Sequence, residues 1–227
     1  MRRLARALLA LAALLLVYLA IVAWWAAASV DTLLAHQSAD TAPQLSQSQL
    51  AILLRIEDPT FFSHRGLSLA DGQGVATISS AVARDLFLYG PPLDGPKGVL
   101  QRVYRAVFDC CRKVDLGRDT MALVLDASAS KARQLDLYAG GVYMGRHEGR
   151  QLRGLEQGAQ AYIGKPLAAL DDDEMARLVA LIKAPNELHP LRNRQAYERR
   201  LARVKAVLAG RCKPDGWLDT NYAHCAP

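Results

Sequence analysis

The chain has 227 residues, of which 51% are hydrophobic and 22% are charged, and this balance excludes an intrinsically disordered protein. Its length allows one domain, or one domain with an appendage. The formal net charge is +6, but Arg2, Arg3 and Arg6 supply half of it. The remaining positive excess is too small to indicate a nucleic-acid-binding protein, for which we would expect a clustered basic face.

An uninterrupted run of apolar residues from Ala7 to Ala28 predicts a transmembrane helix, because it would extend about 33 Å and cross the roughly 30 Å hydrocarbon core of a bilayer. The arginines before it place the N-terminus in the cytoplasm and the rest of the chain on the outer side. A cleaved signal peptide is the alternative, but the run is longer than the apolar core of such peptides. We therefore predict a retained single-pass anchor in the cytoplasmic membrane over residues 1–30, and a linker over residues 31–44.

Beyond the linker, apolar residues recur with helical periodicity, and the body is predicted to be mainly α. Pro59 ends the first of these helices. An acidic run at residues 171–174 begins the clearest later helix, because acidic side chains cap the free N–H groups there. We find no strand pattern with a period of two. The predicted helices cover residues 45–56, 76–88, 99–112, 118–140, 152–163, 171–184 and 194–208.

The four cysteines fit an exported domain in an oxidising compartment. Cys212 and Cys225 bracket a short C-terminal tail, residues 211–227, and could close a loop there. Cys110 and Cys111 are adjacent, and neighbouring cysteines rarely form an unstrained bridge, so we interpret them as two small buried residues. No group of cysteines and histidines has the spacing of a zinc site.

Glu57 is the sharpest candidate for chemistry, because it lies at a predicted helix end beside Ile56, Pro59 and Phe61. A carboxyl group in such apolar surroundings tends to have a raised pKa, which suits acid–base catalysis. Taken alone, Glu57 also fits an exposed residue at a helix end.

Other polar residues are ambiguous by themselves. Thr77, Ser79 and Ser80 fit either a capping motif or an anion site at the start of a helix. His64 has no serine or cysteine partner that the sequence identifies, so in isolation we interpret it as structural.

Five stretches of the body carry motif-like patterns in a fixed order, the first being EDPTFFSHRG at residues 57–66. The others are residues 74–87, 131–145, 154–165 and 178–207. Together they resemble, in divergent form, the motifs of family 51 glycosyltransferases, the peptidoglycan transglycosylases. This family includes monofunctional enzymes and the N-terminal domains of class A penicillin-binding proteins. Five motifs in the right order make the resemblance strongly specific.

The resemblance implies a mainly α, lysozyme-like domain over residues 45–210 that polymerises lipid II, an undecaprenyl-pyrophosphate disaccharide-peptide. Glu57 would be the general base, taking the proton of the acceptor's 4-hydroxyl as that oxygen attacks the donor's anomeric carbon with inversion. Arg84 and Lys131 would bind the pyrophosphate of the leaving group. Further substrate contacts would come from Asp58, His64, Thr77 and Ser79.

The chain departs from the family at a second essential glutamate, for which the alignment offers Leu116 or Arg118. Asp115 and Asp119 are the nearest carboxylates, and neither aligns. That glutamate acts with a divalent cation, so the resemblance implies Mg²⁺ or Mn²⁺ while the missing residue weakens this cofactor, and we assign no metal ligand. The span between Gly66 and Gly74 is also shorter than in the family.

The leading hypothesis is a monofunctional, inverting peptidoglycan glycosyltransferase, since the chain ends soon after Gly210 and leaves no room for a transpeptidase domain. The alternative is a non-catalytic relative that binds lipid II or glycan, or that scaffolds cell-wall synthesis. A glycan-cleaving enzyme that uses Glu57 as a lone acid ranks third. The expected partners are lipid II, the nascent glycan strand and cell-wall synthesis proteins, and no nucleic acid.

The position of the second carboxylate separates the first two hypotheses. Asp115 or Asp119 facing Glu57 across a cleft lined by the two pyrophosphate-binding cations would favour catalysis. Arg118 in that space would favour a binding role.

Overall fold

A computed structural model describes residues 2–37, 44–73, 76–108 and 115–225, and within them the chain is mainly α-helical, as predicted. One long helix leads into a bundle of shorter helices, which a small β-hairpin interrupts. The helices are α1 (Arg2–Ala35), α2 (Gln47–Glu57), α3 (Ile78–Ala83), α4 (Gly95–Phe108), α5 (Leu116–Ser128), α6 (Lys131–Gly141), α7 (Leu155–Tyr162), α8 (Asp172–Ile182) and α9 (Arg194–Leu208). A π-helical turn (Arg84–Leu88) continues α3, a 3-10 turn (Leu167–Ala169) precedes α8, and the strands are β1 (Tyr143–His147) and β2 (Arg150–Arg153).

Helix α1 has two different halves. Up to Ile21 nearly all its side chains are exposed, and they are mostly leucine and alanine. From Val22 onward one face is buried, because apolar residues recur at helical spacing and pack against α4, α5 and the π-helical turn. Among the described elements, α1 is the one helix long and apolar enough to cross a membrane. The residues of the buried face include Val22, Trp25, Ala26, Val30 and Leu33.

The linker predicted over residues 31–44 begins inside this helix, which continues to Ala35. The buried Val30 and Leu33 explain the difference, because the domain provides a surface that keeps this part of the chain helical. The C-terminal half of α1 therefore belongs to the folded domain. Residues 38–43 of the predicted linker lie outside the described residues.

The single helix predicted over residues 118–140 is two helices, α5 and α6. Ala129 between them has an extended backbone (φ −128°, ψ 136°). Ser130 Oγ then accepts a hydrogen bond from the backbone N–H of Arg133 at 3.2 Å and caps α6. Serine bonded to nearby backbone in this way competes with continuous helix, so the apolar periodicity alone was misleading.

The other described helix ends follow capping chemistry more closely. Helix α8 begins at a capping box, in which Asp171 accepts a hydrogen bond from the N–H of Glu174 and the Glu174 side chain reaches back. Helix α9 covers residues 194–208, as predicted. Helix α4 begins at Gly95, earlier than the predicted residue 99.

The sequence analysis missed the antiparallel hairpin of β1 and β2. The hairpin turns at Glu148 and Gly149, whose φ angles of 49° and 79° are typical of a type I′ turn. Each strand has only five or four residues and lacks a clear polar–apolar alternation, so a search for period two fails. The helix predicted over residues 152–163 consequently begins at Leu155.

A disulfide joins Cys212 and Cys225, as the bracketing of the tail suggested. It closes the part of the C-terminal tail that the structure describes, residues 211–225. Cys110 and Cys111 lie outside the described residues, so their interpretation as small buried residues stays a prediction.

Candidate active site

Glu57 lies in the wall of a cavity of about 670 Å³. The cavity opens between the end of α2, the π-helical turn, the end of α6, strand β1 and the C-terminal tail. Four cations and two carboxylates line its described part, an excess of positive charge that suits an anionic ligand. These residues are Glu57, Arg84, Asp85, Arg153, Lys183 and Arg200.

The carboxyl group of Glu57 is half-buried and held by a neighbour. Tyr138 Oη, on α6, donates a hydrogen bond to Glu57 Oε2 at 3.2 Å. Burial raises the pKa of Glu57, whereas Arg200, Tyr138 and Lys183 act in the opposite direction. A carboxyl group with a raised pKa can take up a proton closer to neutral pH, which suits a general base.

Asp58 and His64 do not line the cavity. Their side chains make hydrogen bonds within the domain next to it. The Asp58 carboxylate is fully buried and accepts hydrogen bonds from the N–H of Ile78 at 2.9 Å and from His64 Nε2 at 3.0 Å. The N–H of Gly66 points to His64 Nδ1 at 3.0 Å, so Nε2 carries the ring hydrogen that Asp58 accepts. The substrate contacts that the resemblance implied for Asp58 and His64 are not supported, because neighbouring protein groups already use these polar atoms.

Thr77 and Ser79 are also buried away from the cavity. Thr77 Oγ1 donates to the carbonyl of Gly66 at 2.6 Å and accepts from the N–H of Ser80 at 3.0 Å, so it caps α3. Ser79 Oγ donates to Gln134 Oε1 at 2.6 Å. The capping alternative therefore fits Thr77, and the contacts with pyrophosphate that the resemblance implied for Thr77 and Ser79 stay a prediction.

Lys131 does not line the cavity either, although the resemblance implied that it binds pyrophosphate. Its Nζ lies 2.6 Å from Asp126 Oδ1 and 3.5 Å from Ser79 Oγ. The same ammonium group lies 4.6 Å from the centre of the Phe61 ring. Lys131 thus connects α6 to α5 through Asp126 and to the loop after α2 through Phe61. Its charge is compensated inside the domain by the carboxylate of Asp126.

Arg84 is the predicted pyrophosphate-binding cation that the structure does bring to Glu57. It is exposed in the cavity wall, with its guanidinium 5.5 Å from the centre of the Tyr89 ring. Asp85 beside it lies 3.5 Å from the Arg153 guanidinium. Burial raises the pKa of Asp85, and Arg153 and Arg84 oppose that shift.

Asp85 is the carboxylate that lines the described cavity together with Glu57. The sequence analysis had offered Asp115 and Asp119 for this second carboxylate, and neither lies there. Asp115 caps α5 by accepting from the N–H groups of Gly117 and Arg118. Asp119 lies 3.3 Å from the Arg118 guanidinium. Neither aspartate lines the cavity around Glu57, and Arg118 does not fill it. The arrangement therefore matches neither of the two outcomes that we expected.

Sequence analysis assigned no role to Tyr138 or to Arg200, which both lie beside Glu57. Arg200 is only 5% exposed, donates to the carbonyl of Thr220 at 2.9 Å and lies 4.7 Å from the centre of the Tyr222 ring. Both residues lie within stretches that resemble family motifs, and that was the signal available. Periodicity could not find them, because it marks a tyrosine or an arginine only as part of a helix face.

The described cavity residues do not fit a divalent cation. Its carboxylates, Glu57 and Asp85, already face arginine or lysine side chains, whereas Mg²⁺ and Mn²⁺ prefer several oxygen ligands. Among the described residues, one further group of three side chains brings potential metal-ligating atoms close together. Two of these three side chains are joined in the disulfide. That set is Cys212, His224 and Cys225.

Comparison with known proteins adds independent information. The family model described as Transglycosylase matches residues 30–209. Penicillin-binding protein 1B of Escherichia coli (strain K12) is 33% identical over 154 residues, which cover 65% of this chain and 17% of that protein. Penicillin-binding protein 1B of Vibrio cholerae is 31% identical over 171 residues, with 69% and 20% covered. Penicillin-binding protein 1A of Escherichia coli is 27% identical over 192 residues, with 78% and 20% covered. The chain thus spans about a fifth of the length of these relatives.

Proposed function

Because this chain belongs to the transglycosylase family, we propose that it is a peptidoglycan glycosyltransferase that polymerises lipid II into glycan strands at the outer face of the cytoplasmic membrane. One observation carries the proposal. Glu57, the general base implied by the family motif, lies half-buried with a raised pKa in the wall of a cavity lined by four cations.

The chemical step uses the two oxygens of Glu57 differently. One takes the proton from the 4-hydroxyl of the acceptor sugar while that hydroxyl oxygen attacks the anomeric carbon of the donor. Tyr138 donates a hydrogen bond to the other oxygen and fixes the orientation of the carboxylate. The bond from the anomeric carbon to the pyrophosphate oxygen breaks, and the configuration at that carbon inverts.

The leaving undecaprenyl pyrophosphate carries concentrated negative charge, so cations must face it. We assign this role to Arg84 and Arg153, which line the cavity with Glu57. Arginine can bind phosphate oxygens through two parallel hydrogen bonds. Lys131 is left out of this mechanism, because it does not line the cavity and is paired with Asp126 inside the domain. No step is assigned to a divalent cation.

The exposed half of α1 would hold the domain at the membrane surface, where a lipid-linked substrate lies. The arginines at its start support an orientation with the N-terminus in the cytoplasm and the domain outside. Lipid II and the nascent glycan strand are the proposed ligands, and other cell-wall synthesis proteins are proposed partners.

The test uses the purified full chain in detergent with labelled lipid II. Glu57→Gln keeps the shape of the side chain but removes the base, so we expect polymer formation to fall by about 10²–10⁴-fold while lipid II binding is retained. Glu198→Gln is the matched control, because Glu198 is an exposed glutamate on α9 that lies near Arg194. This control should polymerise like the wild type.

A second candidate function is supported by the compensated Lys131 and by the absence of a carboxylate at the family's second glutamate position. In that case the chain would bind lipid II or glycan, or scaffold cell-wall synthesis, without catalysis. Saturable lipid II binding by the wild type with no polymer under any metal condition would replace the first proposal by this one.

A further inference from the structure

The C-terminal tail contributes a residue to the cavity around Glu57. Thr220 lines that cavity together with Glu57, Lys183 and Arg200. It belongs to the tail, which follows the residues 30–209 that match the family. Part of the wall of the candidate active site therefore comes from a segment that the family match does not include.

Thr220 contacts two cations of this cavity through different atoms. Its backbone carbonyl accepts a hydrogen bond from Arg200 Nη1 at 2.9 Å. Its Oγ1 accepts a hydrogen bond from Lys183 Nζ at 2.5 Å. The two cations come from different elements, because Arg200 lies on α9 and Lys183 follows the end of α8. One residue of the tail thus holds two charges that separate parts of the chain supply.

Both cations act on the carboxyl group of Glu57. Burial raises the pKa of Glu57, and Arg200 is the strongest influence in the opposite direction. Tyr138 and Lys183 also lower this pKa, whereas Asp58 adds to the rise. Arg200 is only 5% exposed, so water and salt screen its charge poorly. The positions of Arg200 and Lys183 therefore help to decide at which pH Glu57 is ionised.

Neighbouring contacts fix the part of the tail that carries Thr220. The disulfide between Cys212 and Cys225 closes the loop that contains it. Tyr222 is fully buried, donates to a backbone carbonyl in the last turn of α2 at 3.1 Å, and has its ring centre 4.7 Å from the Arg200 guanidinium. Its φ of 51° is uncommon for a bulky residue and persists only where surrounding contacts impose it. The loop is thus fixed against both α2 and α9.

We propose that Thr220 is a positioning residue of the active site, through which the C-terminal tail holds Arg200 and Lys183 beside Glu57. It acts through these two cations and is assigned no contact with the reacting atoms. The effect on the polymerisation rate rests on the proposed function, whereas the effect on the ionisation of Glu57 does not. The hydroxyl contact to Lys183 is the part that a substitution can remove while the backbone carbonyl stays.

The experiment follows the titration of the Glu57 carboxyl group by NMR in the full chain in detergent, without lipid II. Thr220→Val keeps the shape of the side chain but removes the hydroxyl that holds Lys183. We expect the pKa of Glu57 to rise by about 0.5 or more, because a nearby positive charge is no longer held in place. Thr220→Ser keeps the hydroxyl and should restore the wild-type titration. With lipid II, the acidic limb of the polymerisation rate should move to higher pH in Thr220→Val.

Two further variants separate this role from a general effect of the tail. Leu218→Ala changes a tail residue that is 65% exposed and does not line the cavity, so it should titrate like the wild type. Lys183→Gln removes the charge itself and should raise the pKa of Glu57. Adding Thr220→Val to Lys183→Gln should then cause little further change, because both substitutions remove the same interaction.

Reduction of the disulfide tests the contact to Arg200. It releases the loop that contains Thr220, and with it the carbonyl that accepts from Arg200. The pKa of Glu57 should therefore rise further in the reduced chain than in oxidised Thr220→Val.

Four outcomes would overturn the proposal. The first is an unchanged titration of Glu57 in Thr220→Val. The second is a shift in Thr220→Ser as large as that in Thr220→Val, because the hydroxyl would then not be responsible. The third is an equal effect of Thr220→Val with and without Lys183→Gln. The fourth is a titration that reduction leaves unchanged. The titration needs no lipid II, so it decides the role of Thr220 even if Glu57→Gln polymerises like the wild type, which would contradict the proposed function.

Discussion

Two opposing effects set the pKa of Glu57. Burial favours the protonated form of its carboxyl group, whereas nearby cations favour the ionised form. Tyr138 takes part in this balance as a donor. Its own pKa is raised well above the usual value by burial and by the negative charge of Glu57, so its hydroxyl keeps the proton over the working pH range. One hydrogen bond thus both orients the Glu57 carboxylate and stabilises its charge.

Removing that hydroxyl should shift the titration of Glu57. Tyr138→Phe takes away a contact that lowers the pKa of Glu57, so this pKa should rise. The acidic limb of the polymerisation rate should then move to higher pH, because the base must be ionised to accept a proton. NMR of the labelled glutamate carboxyl gives the same shift without relying on activity.

Tyr143→Phe is the control for this change, because Tyr143 also lines the cavity but its hydroxyl bonds to Asn186. Its pH dependence should match that of the wild type. An unchanged titration of Glu57 in Tyr138→Phe would show that the hydrogen bond has no influence on the base.

At the scale of elements, the C-terminal tail lies against the short segment between Gly66 and Gly74. The N–H of Gly72 donates to the carbonyl of Gly216 at 3.0 Å, and a Cβ added at Gly72 would lie 2.4 Å from Pro214. Tyr222 Oη donates to the carbonyl of Ile56 at 3.1 Å, next to Glu57. The tail therefore braces the end of α2 in a place where the chain itself is short.

We expect this bracing to depend on the disulfide. Replacing both cysteines, Cys212→Ser with Cys225→Ser, should lower the unfolding free energy by about 3 kcal/mol for a loop of this length. The unfolding temperature should fall by several degrees, since about 2–4 °C corresponds to 1 kcal/mol in a domain of this size. Thermal unfolding and limited proteolysis of the tail measure the two effects.

A reducing agent should have the same effect on the wild type and no further effect on the double variant. Equal unfolding temperatures and equal proteolysis for the oxidised, reduced and double-serine forms would contradict a bracing role for the disulfide.

At the scale of the whole molecule, the exposed apolar part of α1 continues without a break into the part that packs in the core. The whole helix, Arg2–Ala35, is long and apolar enough to cross a bilayer, and its turns from Val22 onward pack inside the domain. Trp25 shows how firm this attachment is. Its ring lies 5.0 Å from that of Tyr104 and 5.7 Å from that of Phe87, and its Nε1 donates to the carbonyl of Lys97. The C-terminal half of α1 is therefore packed as part of the core.

The two neighbouring tryptophans allow a matched test of this attachment. Trp25→Ala should cost about 3–5 kcal/mol of unfolding free energy, because it empties a fully buried site. Trp24→Ala should change the stability of the domain by less than about 0.5 kcal/mol, because Trp24 is 61% exposed. Denaturant unfolding in detergent, followed by circular dichroism, measures both. Equal losses would mean that the C-terminal half of α1 is not part of the core.

Features that depend on neighbours along the chain were predictable. The apolar run of α1, the acidic start of α8 and the position of Glu57 at the end of α2 all follow from patterns within a few turns of helix. The role of Lys131 was not predictable in this way. Its motif position suggested a pyrophosphate contact, but the nearby Asp126 compensates its charge. A sequence motif names a residue, whereas the partner of a charge depends on which groups packing brings within reach.

The sequence by itself determined that the chain is mainly α, that it carries one apolar helix, and that Glu57 is the residue around which chemistry would be expected. Only the tertiary structure decided that Tyr138, Arg153 and Arg200 surround this carboxyl group while Asp58 lies beneath it. The physical reason is that helix propensity and apolar periodicity act over a few residues. The charge and burial around Glu57 come from helices far apart in the chain, and side-chain packing alone brings them together.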